Sequence, residues 1–258
     1  MGRRDMSRDI DVSSELQSQP ESASMDRDDF DSAGAWIIVP AHNESQVIGE
    51  VVGGLRTAFE HVICVDDGSR DATADIALAC GAHVVRHPVN LGQGAAIQTG
   101  LEYARAQPGA TLFATFDADG QHQLSDVTRM LSRLRGDQLD IVIGTRFGVG
   151  TTNHTPRLKR VILRTAARLS PASRRLGLTD AHNGLRVFNR TVADELTLTM
   201  PGMSHADEFV ALIAEKGWRV SEEPVEILYT DYSMSKGQPL VNGINILFDG
   251  WLRGRLLR

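Results

Sequence analysis

Residues 35–66 read AWIIVPAHNESQVIGEVVGGLRTAFEHVICVD. Two short runs rich in apolar and β-branched residues, 35–39 and 62–66, flank the stretch 44–59, in which apolar residues recur every three or four positions. Short apolar runs of this kind indicate strands, and the wider spacing indicates an amphipathic helix. The stretch therefore predicts a βαβ unit, in which the two strands are parallel.

The same alternation continues along the chain. Further strand-like runs are 82–85, 111–116 and 140–145, and further helix-like stretches are 71–80, 93–106 and 124–134. Strands that alternate with helices are typical of a largely parallel sheet covered by helices. We predict an α/β fold in which a ligand binds beyond the carboxyl ends of the strands.

Composition divides the chain into a tail and one domain. Residues 1–33 hold nine acidic and four basic residues, so they carry −5 of the net charge of −6, and they contain almost no apolar run. Such a segment cannot repay the entropy of ordering, and we predict a disordered acidic tail. Residues 34–258 then form a single domain that is close to neutral, which argues against a nucleic-acid partner.

Neither a disulfide framework nor a membrane span is indicated. The two cysteines, Cys64 and Cys80, have no spacing typical of disulfides or zinc sites. No signal-peptide core is evident, and no run reaches the length of about eighteen apolar residues that a spanning helix needs. We expect reduced thiols and a cytoplasmic location.

Three polar clusters follow the predicted strands. They read Pro40-Ala41-His42-Asn43-Glu44, Asp66-Asp67-Gly68-Ser69 and Asp117-Ala118-Asp119-Gly120-Gln121. Turn and helix-start chemistry explains each cluster separately: Pro40 would end the first strand, Asn43 would cap the next helix, and the helix dipole would favour Glu44. Their position at the same end of successive strands predicts that they converge on one site.

Asp117 and Asp119 are candidate metal ligands. Residues i and i+2 of an extended chain point the same way, so both carboxylates can meet one cation, and Gln121 offers a third oxygen. A hard divalent ion such as Mg²⁺ or Mn²⁺ suits oxygen ligands that are shared with a nucleoside diphosphate. A polar turn with a helix cap is the alternative for so short a motif.

Two further motifs support different interpretations. Asp67 is the candidate contact to a base or ribose, with a turn and helix start as the alternative. Asn90-Leu91-Gly92-Gln93-Gly94 is not a dinucleotide fingerprint, because Ile97 occupies the third glycine position. We expect that segment to allow close helix packing.

Taken together, the motifs resemble those of family-2 glycosyltransferases, which have a GT-A fold. The resemblance covers about residues 35–238, and its order and spacing are most similar to dolichyl- or polyprenyl-phosphate sugar transferases, including dolichol-phosphate mannose synthases. It is carried by the three polar clusters, by 90–94 and by Gly144-Thr145-Arg146-Phe147 and Asp180-Ala181-His182-Asn183-Gly184-Leu185-Arg186.

The resemblance implies a metal-dependent hexosyltransferase that uses a nucleoside diphosphate sugar. It implies that the nucleotide site is lined by Pro40, His42, Glu44, Val65 and Asp67. It implies that the metal-bound diphosphate is held by Asp117, Ala118 and Asp119, with Gln121 assisting, and that phosphates are contacted by Arg146 and Lys236. Glu208 is a further implied site residue.

The sequence predicts the class of the sugar acceptor less clearly than that of the sugar donor. A polyprenyl phosphate is already ionised and needs no general base, whereas a sugar hydroxyl would need one, for which Asp207 and Glu208 are the candidates. Where the family has arginine and glycine, this chain has Thr230 and Ser233, which leaves the acceptor and the sugar open. Residues 157–175 contain seven basic and no acidic residues, and they form either a solvated helix face or an anionic acceptor site.

Other functions fit parts of the pattern. A polysaccharide or O-antigen glycosyltransferase acting on a sugar hydroxyl would keep every nucleotide motif. A sugar nucleotidyltransferase would need a glycine-rich loop after the first strand, which is missing. A non-catalytic nucleotide-sugar-binding protein would keep the fold and lose the metal ligands, yet Asp117, Asp119 and Arg146 are present.

The C-terminus predicts an amphipathic basic helix. One face is apolar, and arginines follow it: Leu240, Ile244, Leu247, Phe248, Trp251 and Leu252, then Arg253, Arg255 and Arg258. Such a helix either packs onto the domain or lies in a lipid interface at the inner face of the membrane. Recruitment of the enzyme to a polyprenyl phosphate or glycolipid acceptor by a small membrane protein is a further alternative.

Overall fold

The computed structural model describes residues 32–147, 170–200 and 202–228. The strands are β1 (Ala35–Ala41), β2 (His61–Asp66), β3 (His83–Arg86), β4 (Leu112–Thr115), β5 (Ile141–Thr145), β6 (Arg186–Asn189) and β7 (Val220–Pro224). The α-helices are α1 (Ile48–Arg56), α2 (Thr73–Ala79), α3 (Gln93–Arg105), α4 (Leu124–Gly136), α5 (Pro171–Leu176), α6 (Arg190–Glu195) and α7 (His205–Lys216), with a 3₁₀ turn at Gly202–Ser204.

The strands form one seven-stranded sheet in the order β3-β2-β1-β4-β6-β5-β7. Strand β6 is antiparallel to both β4 and β5, and the other pairs are parallel. The predicted α/β fold with a largely parallel sheet is therefore confirmed. The five predicted strands and the four predicted helices between them correspond to β1–β5 and α1–α4, whereas β6 and β7 were not anticipated.

A buried hydrophobic cluster joins the sheet to helices that pack against it. It contains Trp36 and Ile38 of β1, Val65 of β2 and Leu101 of α3. Helix α3 comes close to the sheet because residue 100 is glycine: a Cβ there would lie 2.5 Å from Cγ2 of Ile38. This packing holds the amino end of α3 near the carboxyl ends of β1 and β2.

The turn after β1 differs from the prediction. Pro40 lies inside β1, paired with Val65. The Ile38 carbonyl accepts a hydrogen bond from the backbone N of Phe116, so the backbone polar groups of Ile38 face β4. Because these groups alternate in direction along a strand, the backbone N of residue 40 also faces the β4 side, but it lies beyond the last residue of β4 that pairs with β1. Proline at this position therefore removes no hydrogen bond from the sheet. Helix α1 begins only at Ile48, without a side-chain cap.

Asn43 is therefore not the cap of α1. It has a φ of 55°, and its Oδ1 accepts from the backbone N of Arg70 at 2.9 Å. Its own backbone N donates to Oγ of Ser69 at 2.8 Å. Asparagine tolerates this left-handed conformation well, so it serves to tie the turn after β1 to the turn after β2.

Several predictions concern parts of the chain outside the described residues. These are the acidic tail, most of the basic stretch 157–175, Lys236 and the C-terminal basic helix. Within residues 32–147, 170–200 and 202–228, no helix has the length and apolar character that a membrane span requires.

Candidate functional site

The polar clusters meet at the edge formed by the carboxyl ends of the parallel strands. The backbone N of Asp67 donates to the carbonyl of Ala41 at 2.8 Å, which joins the segments after β1 and β2. Because β6 runs in the opposite direction, the segment before it reaches the same edge, where Thr115 Oγ1 donates to the carbonyl of Gly184 at 2.6 Å. The predicted convergence of the clusters is thus observed.

Asp117 is enclosed by three neighbours. Gln93 Nε2 donates to its Oδ1 at 2.8 Å, and His122 Nε2 donates to its Oδ2 at 3.1 Å. Gly184 lies so close that a Cβ at that position would overlap the Asp117 carboxylate. The orientation of the carboxylate is therefore determined by its surroundings.

The two carboxylates of the Asp-Ala-Asp motif have opposite pKa shifts. Burial opposes ionisation of Asp117, but the hydrogen bond from His122 and the charge of Arg186 outweigh it and lower its pKa. Burial and then the negative charge of Asp117 raise the pKa of Asp119 to about 6. Two carboxylates that repel each other in this way form a site that a divalent cation would stabilise.

Arg186 lies in the protein interior near these carboxylates. Its side chain is 1% exposed, and its guanidinium lies 4.9 Å from the centre of the Phe209 ring. Burial lowers its pKa to about 10, against the effect of Asp117 and Asp180, so it stays charged at neutral pH. Arg186 ends the motif at 180–186, but no role for it could be predicted; the available signal was an arginine between apolar residues, Leu185 and Val187.

Arg146, at the end of β5, is paired with Asp180. Its Nε and Nη2 each donate to one oxygen of the Asp180 carboxylate at 2.6 Å, and its backbone N donates to Oδ2 at 3.0 Å. Asp180 is 1% exposed, and although burial opposes its ionisation, Arg146 lowers its pKa. The pair fixes the guanidinium plane at the site edge. Asp180 belongs to the motif at 180–186, but its pairing with Arg146 could not be predicted from the sequence.

The Asp67 carboxylate binds the loop between β3 and α3. Oδ1 accepts from Leu91 N and from His87 Nδ1, and Oδ2 accepts from Gly92 N, all at 2.8 Å. Burial opposes its ionisation, yet these hydrogen bonds lower its pKa. These contacts hold the loop between β3 and α3, and the expected contact of Asp67 with a base or ribose stays a prediction.

A cleft of about 650 Å³ opens beside this loop. His42 lies on its wall, with Nδ1 donating to the Asp67 carbonyl at 2.8 Å and Nε2 accepting from Asn43 Nδ2 at 2.9 Å. Other residues that line the cleft are Asp66, Gly68, Ser69, Arg70, Arg86 and Asn90. Among the residues implied to line the nucleotide site, His42 is thus placed at an open surface.

Other implied residues are positioned differently. The Val65 side chain is fully buried in the core, and a lining role for this residue stays a prediction. Pro40 and Ala118 are also buried. Glu44 lies at the site edge, where its backbone N donates to Thr73 Oγ1 at 2.8 Å. Gln121 donates its backbone N to Asp119 Oδ1 at 3.1 Å.

Glu208 anchors the segment before α7. Its carboxylate accepts from the backbone N and Oγ1 of Thr199 and from the backbone N of Met200, at distances from 2.6 to 3.0 Å. These contacts do not favour a general base at this position. Asp207 is 44% exposed, and its Oδ1 lies 3.2 Å from His182 Nε2.

Comparison with known sequences shows the family. The profile of Glycosyl transferase family 2 matches residues 36–197. The chain belongs to glycosyl transferase family 2. A family-2 relative, the UDP-N-acetylglucosamine–dolichyl-phosphate N-acetylglucosaminyltransferase of Methanococcus voltae, is 30% identical over 83% of this chain and 93% of the relative. The polyprenol monophosphomannose synthase of Mycolicibacterium smegmatis is 27% identical over 86% of this chain and 88% of that protein.

Solved structures show the same fold. Glucosyl-3-phosphoglycerate synthase from Mycobacterium tuberculosis, in complex with Mg²⁺ and uridine diphosphate, superimposes with a TM-score of 0.64 at 20% sequence identity. The alignment covers 84% of this family-2 chain and 79% of that protein. The GT-A fold implied by the sequence motifs is thereby confirmed.

Proposed function

We propose that this glycosyltransferase transfers a hexose from a nucleoside diphosphate sugar to a polyprenyl phosphate. The observation that carries the proposal is the Asp117–Asp119 carboxylate pair at the carboxyl edge of the sheet, on the same edge as the Arg146–Asp180 pair. Two relatives that match this chain over most of their length are named for transfer to dolichyl phosphate and for polyprenol monophosphomannose synthesis.

The carboxylates of Asp117 and Asp119 suit a divalent cation that the substrate also binds. The described residues contain no group of three or more histidine, cysteine, aspartate or glutamate side chains that could enclose a metal by themselves. Mg²⁺ is commonly bound by one or two carboxylates together with substrate phosphates. Asp117 and Asp119 would hold Mg²⁺ or Mn²⁺ with the donor diphosphate, and the ion would stabilise the charge of the leaving diphosphate.

Arg146 supplies a fixed positive charge near the same edge. Asp180 orients its guanidinium through two hydrogen bonds, which reduces the entropy lost when a phosphate binds. Arg146 would contact a phosphate of the donor or of the acceptor, as Lys236 would from outside the described residues. Electrostatic stabilisation by such groups is the principal catalytic contribution that we propose.

The contacts of Glu208 favour a phosphate acceptor over a hydroxyl acceptor. A phosphate oxygen attacks without prior loss of a proton, whereas a sugar hydroxyl requires a base. The Glu208 carboxylate already accepts four hydrogen bonds from the Thr199–Met200 segment. Transfer to a sugar hydroxyl would then depend on Asp207 as the base.

A donor and acceptor panel tests the proposal. The full chain is incubated with Mn²⁺, labelled UDP- or GDP-sugars, and either a polyprenyl phosphate or a glycolipid that carries only hydroxyl acceptors. We expect labelled polyprenyl-phosphate sugar from at least one donor and no labelled glycolipid. Label on the glycolipid alone would establish hydroxyl transfer, and donor binding without any transfer would indicate a non-catalytic protein.

A further inference from the structure

The segment Asn90-Leu91-Gly92-Gln93-Gly94 has so far been given only a packing role. Gly94 does pack closely, because a Cβ there would overlap the carbonyl of Met200. Its neighbour Gln93, the first residue of α3, extends to the metal-binding motif and donates its side-chain amide to Asp117 Oδ1 at 2.8 Å. A residue from a different motif thus contacts one of the two acidic ligands.

Asp67 fixes the position from which Gln93 extends. Its carboxylate accepts from the amides of Leu91 and Gly92, immediately before α3. His87 adds a second connection, since its Nδ1 donates to Asp67 and its Nε2 lies 2.9 Å from Thr99 Oγ1 on α3. The N-cap residue of α3 is Gly92, which has no side chain that could cap the helix. The buried Asp67 carboxylate therefore anchors the start of the helix.

The two oxygens of the Asp117 carboxylate are held by different neighbours. His122 holds Oδ2 from one side, and the backbone of Gly184 lies against the carboxylate. The hydrogen bond from Gln93 is what directs Oδ1. Partners that orient a ligating carboxylate typically contribute about ten- to a hundredfold to metal affinity or activity.

We propose that Gln93 is a positioning residue for Asp117, and that Asp67 acts on the metal site through the start of α3. The inference rests on the proposed function, because it requires that Asp117 and Asp119 bind the metal-bound diphosphate. It connects the Asp-Asp-Gly-Ser, Asn-Leu-Gly-Gln-Gly and Asp-Ala-Asp segments into one route of direct contacts.

The test measures Mn²⁺ binding by electron paramagnetic resonance in the presence of UDP or GDP, alongside transfer activity. Gln93→Met keeps the volume and loses the donor, and Gln93→Ala loses both. We expect both variants to weaken Mn²⁺ binding by about ten- to a hundredfold. Transfer should recover substantially at saturating Mn²⁺, and the melting temperature should stay near that of the wild type. Glu102→Ala, on the exposed face of the same helix, is the matched control and should bind Mn²⁺ normally.

A double-mutant cycle tests the route from Asp67. Asp67→Asn should also weaken Mn²⁺ binding, and it should lower the melting temperature because Gly92 N loses its carboxylate acceptor. If both residues act through one route, adding Gln93→Met to Asp67→Asn should cause little further loss, so the effects should not add.

The outcomes separate the inference from the proposed function. Wild-type Mn²⁺ affinity in Gln93→Met would overturn the positioning role, as would a defect in Gln93→Ala that Gln93→Met restores. Additive losses in the cycle would overturn the route from Asp67. If the wild type binds no Mn²⁺ with either nucleotide, the proposed metal site is wrong, and the inference is wrong with it.

Discussion

At the scale of single residues, the site depends on how closely Gly184 approaches Asp117. Gly184 does not have a positive φ, so its backbone conformation alone would accept alanine. The added Cβ, however, would overlap the Asp117 carboxylate, whose oxygens are already held by Gln93 and His122. The carboxylate would have to leave its position.

Gly184→Ala should therefore reduce sugar transfer and Mn²⁺ affinity by at least about ten- to a hundredfold, the loss that is typical when a residue orienting a metal ligand is removed. The control is Gly54→Ala in α1, where no atom lies within 4 Å of an added Cβ. That control should raise the free energy of unfolding by about 0.5–1 kcal/mol and leave transfer unchanged. Wild-type Mn²⁺ affinity in Gly184→Ala would contradict the assigned geometry.

Residue types could be predicted from the sequence, but their orientations could not. The spacing in Asp117-Ala118-Asp119 was sufficient to place two carboxylates at the site edge. Nothing in the same sequence shows that Asp67 turns toward Leu91 and Gly92, or that Glu208 turns toward Thr199. Those orientations depend on loops that pack from distant parts of the chain.

At the scale of elements, regular patterns predicted the first five strands and α1–α4 to within a few residues. Strands β6 and β7 were missed because they contain few apolar residues: β6 reads RVFN and includes the buried Arg186, and β7 reads VSEEP. The reversed direction of β6 also explains why residues 180–185 reach the site although they precede a strand. The expectation that chemistry follows each strand could not include them.

The amino ends of β1–β3 carry a cluster of rings. Trp36 stacks on His61 with ring centres 4.5 Å apart, and His83 lies 6.5 Å from His61. Burial lowers the pKa of His83 below 6.5, and the neighbouring His61 and Arg56 add to this effect. The buried His205 behaves in the same way, since burial lowers its pKa to about 4.

Acid should therefore destabilise the protein below pH 6.5. The unfolded chain binds protons at these histidines more readily than the folded chain, so the free energy of unfolding falls as the pH decreases from 7.5 to 5.5. Asp119 has the opposite effect, since its pKa is raised to about 6 in the folded chain, but this single carboxylate offsets only part of the contribution of the two histidines. His83→Gln should make the free energy of unfolding depend less on pH. The dependence that remains should come from His205. Urea unfolding across the pH range measures the pH dependence of both proteins. Equal dependence in the two proteins, or greater stability at pH 5.5, would contradict the prediction.

At the scale of the whole molecule, one edge of the sheet brings together the residues that we propose to bind metal and phosphate and the residues that anchor the neighbouring loop. The acceptor that we propose is a lipid, and no helix in the described part of the chain is suited to crossing a membrane. The amphipathic, arginine-rich segment predicted near the C-terminus lies outside the described residues, and its role stays a prediction.

If that segment binds lipid, the full chain should co-sediment with liposomes that contain anionic lipids. Binding should weaken at high salt, because screening reduces the attraction of arginines to anionic headgroups. The triple variant Arg253→Ser, Arg255→Ser and Arg258→Ser should lose most of the binding. No binding at any salt concentration, together with transfer to polyprenyl phosphate, would instead support recruitment by a membrane-bound partner.

The most direct test of the central claim compares sugar transfer to polyprenyl phosphate by the wild type and by Asp119→Ala. Burial and the Asp117 charge oppose ionisation of Asp119, so its removal should leave the melting temperature nearly unchanged. We predict labelled lipid from the wild type with Mn²⁺ or Mg²⁺, none in excess chelator, and none from Asp119→Ala. Full transfer in excess chelator, or wild-type transfer by Asp119→Ala, would contradict a metal-dependent glycosyltransferase site at this edge.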